Sequence, residues 1–225
     1  MSFLSFAWNW LRAPQQWHGA SGIPDRILQH LGYSAVSLLI AALIAVPLGI
    51  FIGHTGRGTV VVVNVANAWR SIPTLGLVVI AVIELGFSPL AWLIPLVVLA
   101  VPPILVNTCE GVAGVDPDLK DAAAGMGMTP WQLVRKVELP VALPLIILGL
   151  RTGAIFVVAT ATIVAYIGNG GLGRYIIDGL ATLNYGEAAG GAALVVVLAL
   201  AVQVFFVIVR FLVVPAGLRQ QARPQ

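Results

Sequence analysis

Charged residues are scarce in this sequence. The 225-residue chain carries 12 Lys and Arg and 9 Asp and Glu, together 9% of its residues, where a soluble domain carries about 25%. That deficit excludes an ordinary water-facing surface and places the chain in lipid. A single cysteine, Cys109, excludes an internal disulfide and a multi-cysteine metal site. His18, His30 and His54 lack metal-ligand spacing. Neither Lys120 nor Lys136 follows a glycine, so there is no G-x-x-x-x-G-K loop and no route to ATP hydrolysis by it. The basic residues are scattered rather than gathered on one face, which argues against a nucleic-acid partner. The reading therefore holds no catalytic residue, no metal and no cofactor. The N-terminus reads poorly as a secretory signal peptide, since Arg12 follows the first apolar stretch instead of preceding it.

What is abundant is apolar residues, 59% of the chain. A membrane helix needs about 20 of them in a row. Long charge-free stretches run over 31–56, 85–109, 152–173 and 188–209, and another over 58–83 is interrupted only by Arg70. The expected fold is an all-α polytopic membrane protein of about five spans, at 32–53, 59–83, 90–108, 143–166 and 190–213. The second span alternatively reads as two helices broken at Ser71-Ile72-Pro73, which would make six. Residues 1–30, with Trp8, Trp10 and Trp17, read as an interfacial segment or as a tail with some sticky side chains. Residues 31–213 form the transmembrane domain and 214–225 a tail. Lys and Arg gather in the segments holding Arg57, Lys120, Arg135, Lys136, Arg219 and Arg223, which predicts an outside N-terminus and a cytoplasmic C-terminus.

The long polar segment between spans is 110–140. Asp116-Pro117-Asp118 signals a helix start, an Asp cap followed by proline at the first helical position. Gly125 and Gly127 end that helix, and Thr129-Pro130-Trp131-Gln132 starts another with a capping-box pattern. Trp131, Val134 and Val137 share a face at helical spacing. That face either packs on the chain's own helices or docks into a partner's groove.

The same segment carries a family resemblance. Asp121-Ala122-Ala123, three residues, Gly127, nine residues, then Val137-Glu138-Leu139-Pro140 resembles the signature loop of binding-protein-dependent ABC importer permeases. In that family the pattern reads Glu-Ala-Ala, three residues, Gly, nine residues, Ile, any residue, Leu-Pro. Asp121 keeps the charge of the usual Glu on a shorter arm, and Val137 stands for Ile. The resemblance extends from about Gly32 to Arg210 and is closest to permeases importing osmoprotectants such as glycine betaine, choline and carnitine. It is carried there by Arg70-Ser71-Ile72-Pro73-Thr74-Leu75, Gly125-Met126-Gly127-Met128-Thr129, Val137-Glu138-Leu139-Pro140-Val141-Ala142-Leu143-Pro144 and Ile167-Gly168-Asn169-Gly170-Gly171-Leu172-Gly173.

The resemblance implies an importer type I permease-like fold with a cytoplasmic coupling-helix loop in the cell membrane. It also implies a second permease chain, a separate ATP-binding-cassette ATPase and an extracytoplasmic solute-binding protein. Asp121, Ala122, Ala123, Gly127, Leu139 and Pro140 would be the ATPase-coupling element. A methionine-type permease, or a secondary transporter or channel without ATPase, are the alternatives.

Pathway or gate candidates are Asn64, Asn67, Arg70, Pro73, Asn107, Gly168, Gly170 and Gly171. Arg70 lies deep in an apolar stretch, where a charge usually faces a bundle interior or a watery cavity. The glycines at 168–173 match G-x-G-x-x-G but follow a membrane span instead of a strand, so a turn or gate replaces the dinucleotide reading. Glu84 and Glu187 at helix ends and Asp178 in a loop are solvated ends or a rim for the binding protein.

Overall fold

The computed structural model describes residues 3–69, 71–167 and 170–215, and within these every side chain but that of Asn67. The described elements are helical: α1 (Phe3–Leu11), α2 (Ile23–Thr55), α3 (Thr59–Trp69), α4 (Thr74–Leu85), α5 (Pro89–Ala113), α6 (Pro117–Gly125), α7 (Pro130–Leu133), α8 (Leu139–Val164), α9 (Gly173–Ala181) and α10 (Tyr185–Val213). Short 3-10 turns cover Pro14–Trp17 and Ala165–Ile167, and one wide π turn covers Val134–Glu138. Among the described residues, four helical runs are long and apolar enough to cross a bilayer: Ile23–Thr55, Pro89–Ala113, Pro130–Ile167 and Tyr185–Val213.

The stretch expected as a second span, 59–83, is instead the two shorter helices α3 and α4. Pro73 is the cause. It sits extended (φ −63°, ψ 116°) ahead of α4, lacks an N–H and disfavours helical geometry at the residue before it. Two other boundaries differ from expectation. α2 starts at Ile23 rather than near residue 32, because its polar first turns, with Asp25 favoured by the helix dipole, lengthen the helix beyond its charge-free part. α9 occupies a stretch expected to be loop, and Asp178 lies on it, paired with Arg174 at 2.8 Å one turn away.

Two compact units emerge, Met1–Leu39, Ile72–Leu99 and Ala154–Gln203 in one, Ile40–Ser71, Ala100–Gly153 and Val204–Gln225 in the other. The core of the first is Trp10, Ile23, Val158, Leu172, Tyr175 and Leu198. Trp10 meets Tyr175 edge-on at 4.9 Å between centroids, and a side chain at Gly190 would strike the Trp10 ring. Part of the N-terminal aromatic segment is thus core, while Trp8 and Trp17 stay exposed. The Tyr175 hydroxyl donates to the Ser21 carbonyl. Burial pushes that phenol's pKa up, with the Arg26 charge pulling the other way.

In the second unit, α2, α5 and the start of α8 approach closely through small residues, as membrane helices do when no hydrophobic force drives them together. A Cβ on Gly49 would lie 2.7 Å from Thr108 Cβ, and one on Gly149 2.9 Å from Asn107 Cβ. Val112, Ala142 and Ile146 form the core there.

Candidate functional site

The segment 110–140 folds into the two short helices that its capping signals predict. Asp116 Oδ1 accepts from the Asp118 amide at 2.9 Å, with Pro117 at the first helical position of α6. The helix stops where Gly127 adopts φ 81°, and the Gly127 and Met128 amides close onto the Ala124 and Ala123 carbonyls at 2.9 and 3.2 Å. Thr129 then opens α7. Its hydroxyl accepts from the Gln132 amide at 3.4 Å and its own amide donates to Gln132 Oε1 at 2.9 Å. Asp121, Ala122 and Gly127 are exposed together with Met126, while Ala123 is buried. Leu139 packs against the Val112 core, and Pro140 is exposed. Asp121 to Gly127 therefore forms a largely exposed helix end, while Leu139 and Pro140 open α8.

The shared face of Trp131, Val134 and Val137 divides. Val134 is buried, Val137 is half-buried, and Trp131 stays 69% exposed. Trp131 lines an apolar groove of about 480 Å³ with Pro47, Ile50, Phe51, His54 and Val134.

Beneath the loop lies a cluster that the sequence reading did not single out. The π turn at Val134–Glu138 brings the Leu139 amide onto the Val134 carbonyl, five residues back. Glu138 is fully buried there. Its Oε2 accepts from His54 Nδ1 at 2.8 Å, and its Oε1 lies 3.1 Å from Lys120 Nζ. The Lys120 contact is an ion pair without hydrogen-bond alignment, since the ammonium donates to the Val112 carbonyl at 3.2 Å. The one available signal was an acid at the start of an otherwise apolar helix.

The glycine turn forms a second arrangement. Gly170 and Gly171 take φ 80° and 74°, conformations open to glycine at little cost. Gln29 Oε1 accepts from the Gly171 amide at 3.0 Å and from Arg26 Nη1 at 3.1 Å. The buried His30 ring uses both nitrogens: Nδ1 accepts from the Leu172 amide at 3.3 Å, and Nε2 donates to the Val158 carbonyl at 3.0 Å. The remaining pathway candidates are placed one by one. Asn64 is exposed on α3, and Asn107 on α5 spends its amide on the Pro103 carbonyl at 2.7 Å. Pro73 caps α4. Arg70, Gly168 and the Asn67 side chain lie outside the described residues. Among the described residues, no three His, Cys, Asp or Glu side chains gather as a metal site.

Membrane-length helices with a capped helix–turn–helix between two of them describe a polytopic membrane protein. The chain belongs to the family of binding-protein-dependent transport system inner membrane components, whose model matches residues 45–216. It is 33% identical over 192 residues to the choline transport system permease protein OpuBB of Bacillus subtilis, covering 85% of this chain and 88% of the relative. It is 34% identical to the glycine betaine/carnitine/choline transport system permease protein OpuCB of the same organism, over 85% and 88% of the two chains. The carnitine transport permease protein OpuCB of Listeria monocytogenes is 36% identical over the same shares. Among solved structures, an inward-facing form of the MetNI methionine ABC transporter superposes with a TM-score of 0.72 at 25% identity, covering 84% of this chain and 94% of that one. The chain is accordingly a multi-pass membrane protein and a permease subunit of an ABC importer.

Proposed function

We propose that this permease imports a small osmoprotectant, a quaternary ammonium compound such as glycine betaine, choline or carnitine. What carries the reading is the agreement between the spaced loop at 121–140 and relatives named for those solutes. In this reading the chain works with a second permease chain, a separate ATPase that carries hydrolysis, and an extracytoplasmic binding protein. Residues 1–30 sit at the outer interface, 31–213 form the permease body with the coupling loop at 110–140, and 214–225 end in the cytoplasm.

Asp121, Ala122, Ala123 and Gly127 form the ATPase-coupling element, with the buried Ala123 seating it on the chain and Leu139 and Pro140 fixing the exit of the loop. The exposure of Asp121, Ala122, Met126 and Gly127 supports this role, because a docking element has to present a free surface. The pathway candidates Asn64, Asn67, Arg70, Pro73, Asn107, Gly168, Gly170 and Gly171 belong to the same reading. A permanent cation at Arg70 repels a quaternary ammonium group, so recognition of that group by aromatic faces belongs to the binding protein.

The test is uptake into proteoliposomes holding the complete importer and ATP inside. Radiolabelled glycine betaine, choline and carnitine are compared with methionine. Accumulation of at least one of the three, dependent on ATP and on the binding protein, is expected. Accumulation of methionine alone would replace the substrate, and accumulation without ATP would support a secondary transporter.

A further inference from the structure

Glu138 occupies an unusual position for a carboxylate. It is fully buried at the entry to a membrane-length helix, where desolvation of the ion costs several kcal/mol on general grounds and an apolar side chain of similar size would serve stability as well or better. It is compensated from two other segments. His54, in the last turn of α2, donates to one oxygen, and Lys120, in α6, pairs with the other. Lys120 also holds the Val112 carbonyl near the end of α5. One buried carboxylate thus joins α6 to the end of α2 and the start of α8 through contacts of 2.8 and 3.1 Å, and Lys120 adds the end of α5 at 3.2 Å. Lys120 directly precedes Asp121 in the exposed part of α6, so no flexible link separates the exposed helix end from the cluster.

Resting on the importer reading above, we infer that Glu138 is a positioning residue: it ties the loop to the membrane helices so that movement of α6 is carried rigidly into α2 and α8. A loop held only by apolar contacts can slide under load, since such contacts are non-directional. The hydrogen bond from His54 fixes the orientation of the carboxylate, and the Lys120 ion pair holds α6 at a set distance from it. The π turn contributes by adding a residue to the helix just before α8, which sets the direction in which Glu138 points.

The test uses the complete importer with nitroxide labels at Thr55→Cys on α2 and Leu119→Cys on α6, both exposed positions, in a Cys109→Ala background. Pulsed electron-spin distances are read in the nucleotide-free and vanadate-trapped states. The parent is expected to give one narrow distance that is the same in both states. Glu138→Gln is expected to give a second distance on trapping, with transport per ATP hydrolysed falling about tenfold while hydrolysis continues. Lys120→Met is expected to do the same to a smaller degree, and it decides the matter with His54→Gln if Glu138→Gln fails to assemble.

Unchanged distances in these variants, or a parent distance that itself shifts between states, would overturn the joint. The distance measurement needs no transported solute, so an error in the substrate leaves it intact. A parent chain that brings no ATPase is a separate and visible failure, which removes the importer reading and the joint together.

Discussion

The loop at 110–140 and the glycine turn at 170–172 are both connections held by α2, yet they are held differently. At one end of α2, His54 reaches a buried carboxylate that Lys120 also pairs with. At the other, Gln29 and His30 accept from the backbone amides of Gly171 and Leu172 without an acid taking part. A charge-assisted contact is roughly twice as strong as a neutral one and directional, so it suits a joint under load. Backbone hydrogen bonds to a glycine pair fix a shape at low electrostatic cost. The comparison teaches that one helix can anchor a force-bearing element and a shape-defining one with different chemistry.

That contrast sets the order of expected effects. Glu138→Ala should cost most, about 2–5 kcal/mol, because it empties a fully buried site and removes the shared partner of His54 and Lys120. Thermal unfolding of the purified complex in detergent reads this. His30→Phe should cost less, about 1–3 kcal/mol, through the Leu172 amide and Val158 carbonyl left without their partner. An equal loss for the two variants would erase the distinction between charged and neutral anchoring.

Gly171→Ala and Gly127→Ala sharpen it further. Both glycines have positive φ, which costs a side chain about 1–2 kcal/mol. A Cβ at Gly171 would also press on the His30 ring at 3.3 Å, whereas Gly127 has nothing within 4 Å. The unfolding temperature should therefore drop further for Gly171→Ala than for Gly127→Ala, and the reverse order would show that the turn is looser than its hydrogen bonds imply. Smallest is Thr129→Ala, about 1 kcal/mol from the lost cap of α7, read as faster amide exchange at 130–133.

These differences also mark what could be read in advance. The caps at Asp116 and Thr129 and the stop at Gly127 are local, with partners two to three residues away, so a sequence pattern contains them entirely. The helix break at Pro73 was legible for the same reason, as one of two alternatives. His54 and Glu138 are 84 residues apart, and His30 meets Leu172 across 142. No spacing rule announces such pairs, and three scattered histidines looked inert. α9 was hidden because a short amphipathic helix beside glycines resembles loop in a chain dominated by apolar runs.

The central claim is that this permease is driven by an ATPase docked on the exposed end of α6. The most direct test is affinity purification of the chain from native membranes in mild detergent, alongside an equally expressed Gly127→Asp variant. An ATPase that accompanies the parent chain and is lost from the variant is the predicted result. A parent chain that brings no ATPase, under conditions that keep a control importer whole, would contradict the account.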